Sequence, residues 1–195
     1  MRIMSSRNKF GRPLVFILLA FTAVGNVFAG VAASWVGNKD GQVRIEMADG
    51  SDYGLKLFSD VQGVYYDKSK HQIEGSAYVS VFQVSPSNPG KPEGFCGAGS
   101  EVWLYVYKVA GTNLSEQTRV LVSSCLRSIS MNSQNSGEDT QDADFSSVQW
   151  HAQGFSIEWF ENVDAAGRSL SSTKYVLRDN VFLPLEVLNK ESPNE

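Results

Sequence analysis

From Ser34 onward, apolar residues recur at alternate positions in short runs broken by turn-forming residues, and no long stretch repeats at helical spacing. Val43, Ile45 and Met47 alternate with Arg44 and Glu46, and Asp49-Gly50 supplies a turn after them. Leu55 to Phe58 and Val61 to Tyr66 predict two short strands, followed by the polar cluster Asp67-Lys68-Ser69-Lys70. Ile73 to Val84 predicts a longer strand in which Gly75 marks a bulge or bend. Ser85 to Gly94 contains Pro86, Pro89 and Pro92, which donate no backbone hydrogen bond, so a loop is expected there.

The next strand, Val102 to Val109, presents Val102, Leu104 and Val106 on one side and Trp103, Tyr105 and Tyr107 on the other. Both faces are apolar enough to be at least partly buried. Ala110 to Thr118 reads as a polar connection, and Arg119 to Met131 as the returning strand. Asn132 to Ser147 is almost devoid of apolar residues and carries Glu138, Asp139, Asp142 and Asp144, which predicts a mobile acidic loop over 132–147. Val148 to Trp150, Phe155 to Phe160, Thr173 to Arg178 and Val181 to Leu185 complete the strands. Asp179-Asn180 joins the last two, and both residues tolerate the left-handed conformation of a tight hairpin.

Connections too short for a crossover helix imply antiparallel neighbours. The expected fold class is all-β: a single antiparallel β-sandwich or partly closed barrel over residues 30–188, with a polar tail at 189–195. An outer-membrane barrel fits less well, because charged residues interrupt the second face of many strands.

The amino end changes the picture. Arg2, Arg7, Lys9 and Arg12 precede the apolar run Leu14 to Val24, and small residues flank Phe28 at Val27 and Ala29. This is the layout of a secretory signal peptide over residues 1–29, with an apolar run too short to span a bilayer comfortably. No cysteine follows the run to accept an amino-terminal lipid. Export to a bacterial periplasm or the extracellular space is expected, with no stable membrane insertion after cleavage. Losing the four leader cations takes the formal net charge from −4 to −8. A surface this acidic repels nucleic acid and favours a basic protein as partner.

The two cysteines, Cys96 and Cys125, are expected to form one disulfide in an oxidising compartment. If the strands around them form a hairpin, Cys125 falls opposite the start of the first, and Gly97-Ala98-Gly99 lets the chain double back. A bridge of this span stabilises by roughly 3 to 4 kcal/mol through loop closure. A nucleophilic role for Cys96 has less support: the second cysteine of the papain-like Cys-Gly-x-Cys-Trp is missing.

Other chemistry is sparse. His71 and His151 have no second ligand at zinc spacing, and no Gly-x-Ser-x-Gly elbow occurs. Asp142 and Asp144 lack the Asp-x-Asp-x-Asp-Gly spacing of a calcium loop. No catalytic residue, metal site or cofactor is therefore assigned. Trp103, Tyr105 and Tyr107 form an aromatic stripe that, where exposed, offers flat faces to sugar rings or a protein.

Gly50-Ser51-Asp52-Tyr53 and Gly75-Ser76-Ala77-Tyr78 resemble, with Gly and Ser in reversed order, the Ser-Gly-x-x-Tyr type of motif in periplasmic lysozyme inhibitors. The resemblance implies a type only: exported, all-β, acidic and binding a cationic enzyme. The expected function is a non-catalytic β-domain that binds a protein or cell-envelope component, in an inhibitor-like or accessory role. Candidate binding residues are Trp103, Tyr105, Tyr107, Glu138, Asp139, Asp142 and Asp144. The alternative is an envelope hydrolase or carbohydrate-active protein using Glu101 and Glu158 as paired carboxylates.

The small-residue rule places cleavage between Ala29 and Gly30. Amino-terminal sequencing of exported protein should begin at Gly30; an intact leader on membrane-bound protein would contradict this.

Overall fold

The computed structural model describes residues 33–190 and turns the alternating runs into antiparallel strands. The expected leader, and residues 191–195 of the expected tail, lie outside the described residues. In chain order the strands are β1 (Ser34–Gly37), β2 (Gln42–Glu46), β3 (Asp52–Lys56), β4 (Gly63–Tyr66), β5 (His71–Ile73) and β6 (Ser76–Pro86). They continue as β7 (Ser100–Ala110), β8 (Asn113–Ser124), β9 (Ser130–Met131), β10 (Val148–His151), β11 (Gly154–Glu161), β12 (Leu170–Arg178) and β13 (Val181–Leu188). The first sheet has the order β1-β4-β6-β7-β8, with β5 also on β6. The second has the order β10-β11-β12-β13, with β9 also on β11, and β2 pairs with β3 alone. None of the sheets closes into a barrel.

Two cores explain the stacking. Phe82, Val84, Val102, Leu104, Val106 and Val122 of the first sheet meet Phe155, Ile157, Trp159, Leu177 and Phe182 of the second. On the opposite face of the first sheet, Val64, Tyr66, Val79, Val81, Tyr105 and Tyr107 lie under Val43, Ile45, Tyr53 and Leu55 of the β2–β3 hairpin. The first sheet is thus the middle of three β layers. Two-sided burial is why Val79 to Val84 is inaccessible without a break, whereas β2 and β3 each alternate strictly between exposed and buried. The tip of the hairpin is fastened by an ion pair from Lys70 to Asp49 at 2.8 Å and by the Ala48 amide on the Lys68 carbonyl. Lys70 holds the Asp49 carboxyl well below the ordinary carboxylate range.

Several local expectations change. Gly75 does not bend a continuous strand. With Glu74 it makes the two-residue turn between β5 and β6, both residues left-handed at φ 49° and 76°. Asp179-Asn180 makes the same kind of turn, as expected, at φ 50° and 62°. Ala110 to Thr118 is not a connection: β7 and β8 turn at Gly111-Thr112, and the polar run belongs to β8. That strand lies at the edge of its sheet, and its first half is largely uncovered, so nothing selects apolar residues there. Its register against β7 shifts twice, opposite Val102/Trp103 and Val106/Tyr107.

Cys96 and Cys125 are joined, with their Cα atoms 5.7 Å apart. Glu101 pairs with Ser124, so Cys125 sits one step beyond the start of β7, as the hairpin geometry requires. A Cβ on Gly99 would lie 2.8 Å from that of Cys125, which is why the doubling-back needs glycine there.

The acidic segment is more structured than its composition implies. It contains short 3-10 helices at Asn132–Asn135 and Gln141–Ala143, and the Ser133 hydroxyl donates to the Asp144 carbonyl at 2.8 Å. Its end is anchored by Phe145, which is buried and stacked on Phe82 with centroids 4.0 Å apart. One large apolar residue in sixteen escapes a composition argument yet fixes where the segment meets the core.

Phe145→Ala should therefore destabilise the protein by about 3 to 5 kcal/mol. Urea unfolding measures this, and limited proteolysis should then cut within 132–147 first. A loss below about 1 kcal/mol would show that the anchor is not formed.

Candidate functional site

The connection from β3 to β4, Leu57 to Gln62, runs beside Gln83, Trp103 and Tyr105 at an end of the first sheet's face that the hairpin leaves open. Its backbone is tied on both sides. The Leu57 amide donates to the Gly41 carbonyl at 2.8 Å, the Asn38 amide nitrogen Nδ2 to the Val61 carbonyl at 2.7 Å, and the Gln62 amide to the Val84 carbonyl at 2.8 Å. Val61 is buried beneath the loop, while Phe58, expected at the end of a strand, is turned outward and 65% exposed. An aromatic ring held in solvent by an anchored loop is a surface that can gain from a ligand.

Depressions lie on both sides of this loop and share Ser59, Asp60 and Val61. One, of about 450 Å³, is bounded by Phe58, Gln83, Ser85, Trp103, Tyr105 and Arg119. The other, wider and of about 910 Å³, includes Trp35, Asn38, Asp40 and Gln62. Trp35 is 46% exposed and lies across Gly63, where any Cβ would collide with its ring. Trp35 packs on Tyr65, on the opposite face of the first sheet from Trp103 and Tyr105, so the two depressions meet only at the Ser59–Val61 stretch of the loop.

Strand register places the floor. Val64, Gln83, Trp103 and Leu121 follow one another across β4, β6, β7 and β8, and Val81, Tyr105 and Arg119 form the next row. Trp103 is half-buried and Arg119 exposed. Gln83 is 4% exposed; its Nε2 donates to the Tyr107 hydroxyl at 3.3 Å, and its Oε1 has no hydrogen-bond partner. Burial holds the Tyr107 phenol well above its ordinary pKa, with Glu116 and Tyr105 adding to the effect.

The sequence-derived binding residues do not form one surface. Trp103 and Tyr105 line the smaller depression, Tyr105 as a mostly buried wall. Tyr107 lies under the hairpin and cannot offer a face to a partner. Glu138, Asp139, Asp142 and Asp144 belong to the segment anchored in the other core by Phe145, on the opposite face of the first sheet from Trp103 and Tyr105. Asp142 and Asp144 belong to no cluster of three or more ligating side chains among the described residues.

Glu101 and Glu158 are not brought together. Glu101 shares the hairpin-side face with Trp103 and accepts from the Ser87 hydroxyl at 2.5 Å, whereas Glu158 points to solvent from the outer face of the second sheet. Opposite outer sides of the stack cannot flank one glycosidic bond. His71 stacks on Trp150, with centroids 4.2 Å apart, and bonds Asp67 at 2.7 Å, tying the two sheets together. His151 is exposed and contacts the Ser156 hydroxyl at 2.8 Å.

Phe58, Asp60, Gln83 and Arg119 escaped the sequence reading. Gln83 did leave a signal, as an amide inside the otherwise apolar run Phe82 to Val84 on a strand buried on both faces. Asp60 and Arg119 left none, because only the fold places them beside it.

A scan against protein-family models, a search of curated proteins and a search of solved structures each found no match for this chain. No helix among the described residues is long and apolar enough to cross a membrane.

The buried phenols give a pH dependence. Burial pushes Tyr175, stacked on Phe155, up to about 12, and Tyr107 is raised further still. Unfolded tyrosines ionise near pH 10, so above that pH the unfolded chain releases protons the fold retains. Stability contributed below pH 10 is then lost as pH rises, at about 1.4 kcal/mol per unit for each such phenol. Urea midpoints should fall between pH 10 and pH 11, less steeply in Tyr175→Phe; a flat profile would contradict the burial of both.

Proposed function

We propose that this chain is an exported, non-catalytic β-domain that binds a protein or cell-envelope component through the groove around Phe58. The observation that carries the reading is an anchored loop that holds Phe58 in solvent at the edge of a depression that Trp103 and Tyr105 also border, at an end of the sheet face that the hairpin does not cover. Concave surfaces with exposed aromatic rings and a few fixed polar groups are where binding energy concentrates. The disulfide is in keeping with an oxidising compartment. The exposed Glu138, Asp139 and Asp142 add an acidic flank that would speed encounter with a basic partner without touching the groove. The carboxylate-pair hydrolase gains no support from Glu101 and Glu158, which lie on opposite sides of the stack.

The test is a photo-crosslinking residue placed at position 58 in cells exporting the protein, with the exposed Val163 as control position. Discrete adducts are expected at 58 and not at 163. Neutralising Glu138, Asp139, Asp142 and Asp144 to their amides should slow adduct formation with a basic partner, most at low salt, since exposed charges are screened over about 8 Å at physiological strength. Equal, diffuse labelling at both positions would remove the reading.

A further inference from the structure

We propose that the free edge of β13 pairs with the same edge of a second copy of this chain, making a two-fold dimer centred on Leu185. The surface belongs to the second sheet, and the inference does not depend on the binding reading above.

β13 ends its sheet, and among the described residues no strand pairs with its outer edge. β8 comes near it without forming a ladder, and Leu183 to Leu188 are exposed throughout. Val181, Leu183, Leu185, Val187 and Leu188 are 38% to 52% exposed, and no other strand exposes more than one large apolar side chain. The first four of these alternate along the face turned away from Phe182 and the core. Pro184, Glu186 and Leu188 lie on the core side beside Tyr175, Thr173 and Leu170, yet nothing covers them. An edge strand apolar on one face and uncovered on the other is placed to accept another strand.

Backbone register says which strand fits. The two-residue turn at Asp179-Asn180 makes Arg178 and Val181 a hydrogen-bonded pair, so odd-numbered residues of β13 bond β12 and even-numbered ones turn their backbone groups to the free edge. The Asn189 amide on the Ser169 carbonyl, at 2.9 Å, keeps this alternation to the end of the strand. In an antiparallel pair centred on Leu185, residues 182, 184, 186 and 188 face 188, 186, 184 and 182 of the second copy. Only the bonds that the two prolines would donate are lost. Leu185 then meets its own copy, Leu183 meets Val187, and Leu188 gains Phe182 as an apolar neighbour on the core side. Each Glu186 faces Pro184. Centring the pair on Glu186 would oppose two glutamates, and centring it on Pro184 would oppose the two positions without a donor. Pro184 and Glu186 thus protect the edge against other registers while leaving this one open.

The dimer is closed, because β10, at the opposite edge of the sheet, exposes no large apolar side chain. An interface built on one eight-residue strand falls short of the about 800 Å² per partner of standard assemblies, so a dissociation constant of about 10 to 100 µM is expected.

Sedimentation velocity of the exported, oxidised protein should show monomer giving way to dimer between about 5 and 500 µM. Leu185→Lys, at an exposed position, should weaken the dimer at least about tenfold by setting two cations on the axis. Phe160→Lys, equally exposed on the same sheet, should not. Cysteines read the register. Leu185→Cys brings two Cα atoms to about 4.5 Å across a non-hydrogen-bonded pair and should oxidise to a linked dimer. Leu183→Cys, with its copy about 14 Å away, should link only when mixed with Val187→Cys. A monomer throughout the concentration range, or equal linking by Leu183→Cys and Leu185→Cys alone, would overturn the two-fold pair. Linking of Leu185→Cys to a different exported protein in cells, with the purified chain monomeric, would give the edge to that protein and overturn the second copy.

Discussion

Burial of β6 and β7 on both faces is the constraint from which the rest follows. A strand covered on one side can alternate apolar and polar residues, but these two must satisfy a core in each direction. The second sheet serves one face, and the β2–β3 hairpin serves the other. Every later feature depends on how far the hairpin reaches, because beyond Val81 and Tyr105 the face passes from core to groove within a single residue pair, Gln83 and Trp103. The disulfide and Phe145 act at the margins of this arrangement. One ties the proline-rich loop to the end of β8, and the other plugs the core between the sheets beside Phe82.

Buried polar groups are matched unevenly within these layers. Asp164, equally buried, is fully engaged, accepting from the Ala166 and Arg168 amides and from the Arg168 guanidinium. Gln83 is not, and leaving such a group unmatched costs about 1 to 3 kcal/mol.

Much of the architecture was legible in the sequence because period-two alternation and turn residues are local signals. Val43 to Met47, Asp179-Asn180 and the two faces of Val102 to Tyr107 were read correctly for that reason. The Cys96 to Cys125 pairing followed from there being two cysteines and one plausible hairpin. What failed was context. The polar start of β8 looked like a connection because an uncovered edge strand carries no hydrophobic signature. Gly75 looked like a bulge because only pairing in space distinguishes a bend from a two-residue turn. Gly50 and Gly75, which carried the resemblance to lysozyme inhibitors, both occupy turns at positive φ, so hairpin chemistry is enough to account for them. The groove was least legible of all, since Phe58, Gln83 and Arg119 come from three separate stretches and meet only through strand register.

The central claim is that the hairpin covers the face of β4, β6 and β7 at Tyr66, Val79, Val81 and Tyr107 and leaves the Phe58–Trp103 end open. Hydroxyl-radical footprinting of the oxidised protein tests it most directly, because it reads side-chain accessibility residue by residue. The account predicts rapid modification of Phe58, measurable modification of Trp103, and protection of Tyr53, Tyr66 and Tyr107. Modification of Tyr66 and Tyr107 at the rate of Phe58 would mean that the hairpin is not a layer of the fold, and the groove would lose the wall that defines it.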